Sequence, residues 1–153
     1  MARKWITRDR PKIDRIACPW LIRRFIAKDA EFLHVPAEQV FAAAAETGAT
    51  PYDLPGAEPF SHHGEQCSFD ALLDHYRLHQ PAVDPLAVIV RGADTAQPDL
   101  APQAAELLAI SLGPSANFDD DHAMLEQGMV VYDALYTWCR LLQHETHNWK
   151  PAA

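Results

Sequence analysis

The run Leu86-Ala87-Val88-Ile89-Val90 decides the fold class of this chain, because it is the one apolar stretch that reads either as a strand or as a helix. Its β-branched residues favour a strand. Leu86, Ile89, Val90 and Ala93 nevertheless recur at i, i+3, i+4 and i+7, one face of a helix, and the segments around the run are helical too. The helix reading makes the chain α+β: a mostly helical single domain over residues 1–153, with a small sheet of two or three strands and a long C-terminal helix.

Upstream, Ser61-His62-His63-Gly64-Glu65-Gln66-Cys67-Ser68-Phe69-Asp70 sets two imidazoles, a thiol and carboxylates on a loop that opens a helix expected over Ser68 to Leu78. Phe69, Leu72, Leu73 and Tyr76 form its apolar face, Ser68 is placed to cap it, and Asp70 suits its positive end. Gly64 permits a sharp bend that aims one imidazole inward. Adjacent side chains diverge, so His62 and His63 do not easily share one centre. The loop Pro55 to Phe60 carries Glu58 toward them. Further back, strands are expected at Lys4 to Thr7, Glu31 to Val35 and Thr50 to Leu54. Pro19 fits a first helical turn, which places a helix start near Cys18 or Pro19 with Arg15 just ahead of it. Glu38 to Glu46 reads as a short alanine-rich helix closed by Gly48.

Downstream, Arg91-Gly92-Ala93-Asp94-Thr95 ends the deciding helix in a charged turn. A helix over Gln103 to Leu112 is expected to stop at Gly113-Pro114. The last helix is expected from Asp119 to Gln143, with Met124, Leu125, Gly128, Tyr132, Leu135, Tyr136, Cys139 and Leu142 as its buried stripe. The polar tail from Thr146 to Ala153 is expected to be loose.

Composition excludes several classes. No apolar run approaches the roughly 20 residues needed to span a bilayer, so no membrane partner is expected. The basic start lacks the apolar stretch of a secretory leader, which points to the cytoplasm. Cys18, Cys67 and Cys139 form no CxxC pair and read as reduced thiols. Nine of the thirteen Lys and Arg residues fall in the first 28 positions against Asp9 and Asp14, leaving +7 there and −15 in the remainder. Such a segment serves nucleic acid, serves a small anion, or pairs with the acidic remainder on folding. Direct DNA binding is not expected, since the rest of the surface repels phosphates and no reading helix is recognisable.

Two constellations carry chemistry. His122 and Glu126 are one helical turn apart, the spacing at which two side chains grip one metal. Joined by His62 and by Glu58 or Asp94, they make a mixed nitrogen and oxygen site for zinc, manganese, iron or nickel. Asp133 is some three turns from His122 and suits a structural hydrogen bond instead. Arg15, with Arg23 or Arg24, lies near a helix N-terminus and is a candidate for holding a small oxyanion. Cys67, beside imidazoles at a helix start, is the candidate reactive thiol. There is no Ser-His-Asp pattern and no phosphate-cradling Gly-rich loop.

Four motifs in order, Lys12 to Ile26, Ser61-His62 with Gly64 and Cys67-Ser68-Phe69, Ile89 to Asp94, and Asp121-His122-Ala123 through Tyr136, closely resemble the chromate-resistance protein domain found at the C-terminal end of ChrB regulators. The resemblance implies a role in bacterial chromate resistance or the oxidative stress response. Longer members look like chromate-responsive transcription regulators with an extra N-terminal region, so a stand-alone sensing or catalytic domain is expected here. It favours His62 over His63, because the family motif is a histidine, a variable residue and glycine. His62, Asp94 and His122 fall inside the motifs and, with Glu126, form the expected metal set. Arg15, Arg24 and Arg91 are the expected oxyanion contacts, with chromate as the small-anion partner. Two functional readings follow: a metal-dependent enzyme, or a non-catalytic chromate sensor acting through a protein partner. A dimerisation domain built on the apolar stripe of the last helix is the third.

Overall fold

The computed structural model describes residues 3–152; Met1, Ala2 and Ala153, the outermost residues of the basic start and the polar tail, lie outside them. Three parallel strands, β1 (Lys4–Arg8), β2 (Glu31–Val35) and β3 (Thr50–Pro51), form a sheet in the order β2-β1-β3. Trp5 stands opposite Phe32 and Thr50, and Ile6 opposite Leu33 and Pro51. The pleat sends neighbouring side chains to opposite faces. Trp5 and Phe32, joined by Tyr52, enter the main core, whereas Ile6 enters a smaller core with Val40, Ala49, Leu54 and Ala57. Parallel strands need crossovers, supplied by α1 (Asp14–Leu21) with a π turn over Ile22–Ile26, and by α2 (Val40–Thr47). The rest is helical: α3 (Ser68–Tyr76), α4 (Val83–Asp94), α5 (Ala104–Asn117) and α6 (Asp121–Thr137), which ends in a second π turn over Trp138–Leu142.

The run that decided the fold class is helical, with Leu86, Ile89, Val90 and Ala93 all buried. Two helix boundaries differ from expectation by three residues or more within regular α-helix, while α2, α3 and α6 shift by smaller margins or pass into other turns. Helix α1 begins at Asp14, so Pro19 lies inside it rather than at its start. The missing proline amide costs one backbone bond. Burial of Ile16, Ala17, Trp20 and Leu21 outweighs that loss, and the widened turn that follows absorbs the distortion. Helix α5 runs through Gly113-Pro114 to Asn117. Its far end is secured from a distance: the Arg10 guanidinium donates to the carbonyls of Ser115, Phe118 and Asp119 and pairs with Asp121 at 3.1 Å. At α3, the N-cap position belongs to Cys67, and Ser68 is the first helical residue.

Helix α6 is the rod against which α1 lies. Met124, Leu125, Gly128, Tyr132 and Tyr136 are buried, with Cys139 continuing the stripe in the π turn. A Cβ at Gly128 would fall 2.6 Å from Ile16 Cγ2, so the two helices approach as closely as glycine allows. Tyr132 donates its hydroxyl to the Ile13 carbonyl at 3.2 Å, and the Trp20 indole donates to Asp133 at 2.8 Å. Asp133 thus makes the structural bond its position suggested. At the start of α6 the His122 ring meets His34 of β2 edge-on, 5.5 Å between centroids. Both His34 nitrogens are buried without a partner among the described residues, and burial lowers its pKa to about 4, against the opposing pull of Asp121. Among the described residues, no helix is long and apolar enough to cross a membrane.

Gly128→Ala is expected to destabilise the protein by about 1–3 kcal/mol through overpacking on Ile16, read from urea denaturation. Gly113→Ala, where nothing lies within 4 Å, is the control and should be neutral or stabilising. A second outcome concerns acid. His34 is held neutral with a folded pKa below its ordinary 6.5, so its contribution is present above pH 6.5 and lost as pH falls through about 4. His34→Leu should flatten the fall in melting temperature across that window. Asp9, Arg15, Asp121 and His122, which also act on this ring, are left in place in both proteins.

Candidate metal centre

Asp14, Asp53, His62 and Asp94 come from four separate segments and place one ligand atom each within 4.8 Å of one another. Asp14 opens α1, Asp94 closes α4, Asp53 follows β3, and His62 lies in the loop ahead of α3. His62 Nε2 faces the other three: 2.9 Å from Asp94 Oδ2, 3.3 Å from Asp53 Oδ1 and 3.5 Å from Asp14 Oδ2.

Each carboxylate is held from behind. Asp14 is fully buried, and its oxygens accept the free amides that begin α3, from Ser68 at 2.7 Å and Phe69 at 3.3 Å. A helix N-terminus supplies unpaired N–H groups and positive potential, which is what a buried carboxylate requires. Asp53, held at φ 57°, accepts the Ser68 hydroxyl at 2.7 Å and faces Arg8 and Arg15 at 3.5 Å each. Asp94 accepts the Asp14 amide at 3.4 Å. The end of α3 is itself fixed by Asp70, which accepts the Cys67 amide at 3.0 Å and is gripped by Arg91 at 3.0 and 3.3 Å. Gly64, at φ 59°, turns the histidine loop. Paired backbone bonds between His63 and Gln66 close that turn, so His62 faces inward while His63 reaches the Pro59 carbonyl at 3.1 Å.

The electrostatics follow from burial. Asp14 is raised, above all by desolvation, and Asp94 is raised by desolvation and then by the charge of Asp53. His62 is raised to about 10, first by its hydrogen bond to Asp14 and then by that to Asp53. Three crowded carboxylates therefore favour positive charge at their centre, which a protonated His62 supplies in the protein alone. In a shell with bonds of about 2.1 Å, adjacent ligands lie roughly 3.0–3.4 Å apart. The separations of 2.9, 3.3 and 3.5 Å around Nε2 match that edge length, so this cluster could hold a metal ion. Beside it opens a pocket of about 320 Å³ lined by Arg8, Asp53, Leu54, Pro55, Glu58, Ser61 and His62.

Of the expected metal set, the structure brings together His62 and Asp94. It sets His122 against His34, and Glu126 pairs with Arg23 at 2.9 Å. The one-turn spacing on α6 was real, but basic side chains of the preceding segments take its acids. Glu58 lines the pocket and accepts the Ser61 hydroxyl at 3.0 Å. The expected oxyanion arginines do not converge. Arg15 stands by Asp53, Arg24 pairs with Asp133 at 3.2 Å and lies over the Tyr136 ring, and Arg91 is spent on Asp70. Cys67 is buried, and burial drives its thiol far up, the reverse of an activated thiolate. Asp14 and Asp53 were missed as ligands. Asp14 sits in a recognised motif, yet its amide partners are far along the chain. The usable signal was topological: open parallel sheets place ligands just past the carboxyl ends of their strands, which is where Asp53 stands.

The chain matches the family model described as ChrB, C-terminal domain, over residues 5–139, a span that contains all four clustered residues. It is 34% identical over 136 residues to Protein ChrB of Cupriavidus metallidurans, covering 88% of this chain and 40% of that protein. The chain thus spans well under half the length of this curated relative. No solved structure gives a significant match. With the family model covering most of its length, and the clustered residues inside the match, this chain belongs to the ChrB C-terminal domain family of chromate resistance.

Proposed function

We propose that this domain binds one divalent metal ion through Asp14, Asp53, His62 and Asp94, and that the metal serves the response to chromate or oxidative stress. The observation that carries the reading is His62 Nε2 facing three carboxylates at ligand-edge separations. Three carboxylates with one imidazole and no thiolate form a hard, oxygen-rich donor set. Among zinc, manganese, iron and nickel, that set favours manganese. The pocket beside Asp53 and His62 leaves room for further ligands, as a metal-dependent enzyme needs. A non-catalytic sensor working through a partner protein is the second reading. It is favoured by the origin of the four ligands in four segments, since a metal that ties them together transmits its binding to the fold.

Calorimetric titration of metal-free protein with Mn²⁺ is expected to show one equivalent bound. His62→Ala should weaken it at least ten-fold with unchanged circular dichroism, and His122→Ala should leave it unaltered. At a hundred-fold excess over Kd the metal should stabilise the fold by about 2.7 kcal/mol. Equal binding by wild type and His62→Ala, or none by either, overturns the assignment.

A further inference from the structure

We infer that the pocket beside Asp53 and His62 is an anion subsite, in which Arg8 pairs with a small oxygen-donor anion that also occupies an open position on the metal. The inference rests on the metal reading above and names what the site takes from solution.

Arg8 ends β1 at the rim of the pocket. One corner of its guanidinium is fixed by Asp53: Nη2 donates to the Asp53 carbonyl at 3.1 Å and faces its carboxylate at 3.5 Å. Among the described residues, no other donor of this side chain has a protein acceptor, and Nε is buried without one. A guanidinium carries five N–H donors in a rigid fork suited to two-oxygen anions. Its side chain is 38% exposed, so the guanidinium has a route to the pocket although Nε itself is buried.

Charge says when an anion is wanted. The carboxylates of Asp14, Asp53 and Asp94 are faced by the guanidiniums of Arg8 and Arg15 and by the His62 imidazole. A divalent cation held by the four ligands adds positive charge beside Arg8 and brings an open coordination position that the metal-free site lacks. Arg8 and Arg15 both face a single carboxylate, Asp53, whose charge the metal then shares. Anion binding is therefore conditional on the metal, and by linkage the anion tightens the metal in return. Glu58 lines the same pocket and accepts from Ser61, a negative neighbour that weakens rather than abolishes the effect. Leu54 and Pro55 supply an apolar wall. Both an inorganic oxyanion and a short carboxylate satisfy this chemistry.

The test uses the full chain, with and without saturating Mn²⁺, titrated in separate arms with sulfate and chromate, and with acetate and malonate. Binding is read by calorimetry and melting temperature. The expected result is saturable binding in the manganese-loaded protein only. Arg8→Gln should weaken it at least ten-fold with Mn²⁺ affinity changed less than three-fold, Arg8→Lys should restore part of it, and Arg24→Gln, at a side chain paired with Asp133, should have no effect. Preference for the first arm identifies an inorganic oxyanion and for the second a carboxylate. Failure of Mn²⁺ itself to bind sinks the metal reading. Normal Mn²⁺ binding with no anion effect, an anion effect indifferent to Arg8, or loss of Mn²⁺ in Arg8→Gln overturns the subsite alone.

Discussion

The buried carboxylate of Asp14, seated on the first amides of α3, is the contact on which the rest depends. A carboxylate with no exposure is tolerated only where hydrogen bonds replace its water. Here they come from a helix 54 residues further along the chain. The bond therefore ties the start of α1 to the start of α3. Ser68 links the same point to Asp53 beyond β3, and the Asp14 amide links it to Asp94 at the end of α4. Every segment that contributes to the cluster is thus held through one residue.

That residue must itself be placed within a fraction of an ångström, and α1 does this by leaning on α6. Glycine at position 128 lets Ile16 sink into the rod, and Tyr132 reaches back to the carbonyl of Ile13, directly before Asp14. Ile13 takes the unusual φ of 37° at that point. For a β-branched residue such a conformation is costly and persists only where its surroundings enforce it. The long helix acts on the site at one remove, through packing. None of its side chains is among the four that gather at the cluster.

What could be read in advance divides along this line between local and distant causes. The stripe Leu86, Ile89, Val90 and Ala93 was legible because a period is local, and so were β1, β2 and the buried face of α6, whereas β3, expected to run on to Leu54, ends at Pro51. That one imidazole of the loop aims inward was legible from Gly64 and the turn it permits, and the family motif singled out His62. The start of α1 was not, because the proline rule describes a helix in isolation, and the burial of Ile16 and Ala17 is a tertiary gain. Nor was the end of α5, which Arg10 holds from a position 105 residues earlier. Asp14 lay ahead of the expected helix start and stood out only as one of two acids in a basic segment. Its partners, like those of Glu126, are fixed only by the fold, so half of the cluster and the fate of His122 and Glu126 were out of reach.

The charge asymmetry gains its meaning from the same contacts. The basic first segment folds onto the acidic remainder: Arg10 onto Asp121, Arg23 onto Glu126, Arg24 onto Asp133. Exposed pairs of this kind each contribute about 0–1 kcal/mol, so they explain where the charges go better than why the fold is stable. Arg10, with three carbonyls besides its carboxylate, is the exception. Arg8 and Arg15 differ in kind, since together they face one buried carboxylate that already faces His62. Burial and then the charge of Arg8 lower the pKa of Arg15, a sign that positive charge is crowded at this point. Arg3, Arg10, Arg23, Arg24 and Arg91 each meet an acid of their own. Beside the cluster two share one, so a cation bound by Asp14, Asp53, His62 and Asp94 would tip this corner of an otherwise acidic protein to positive.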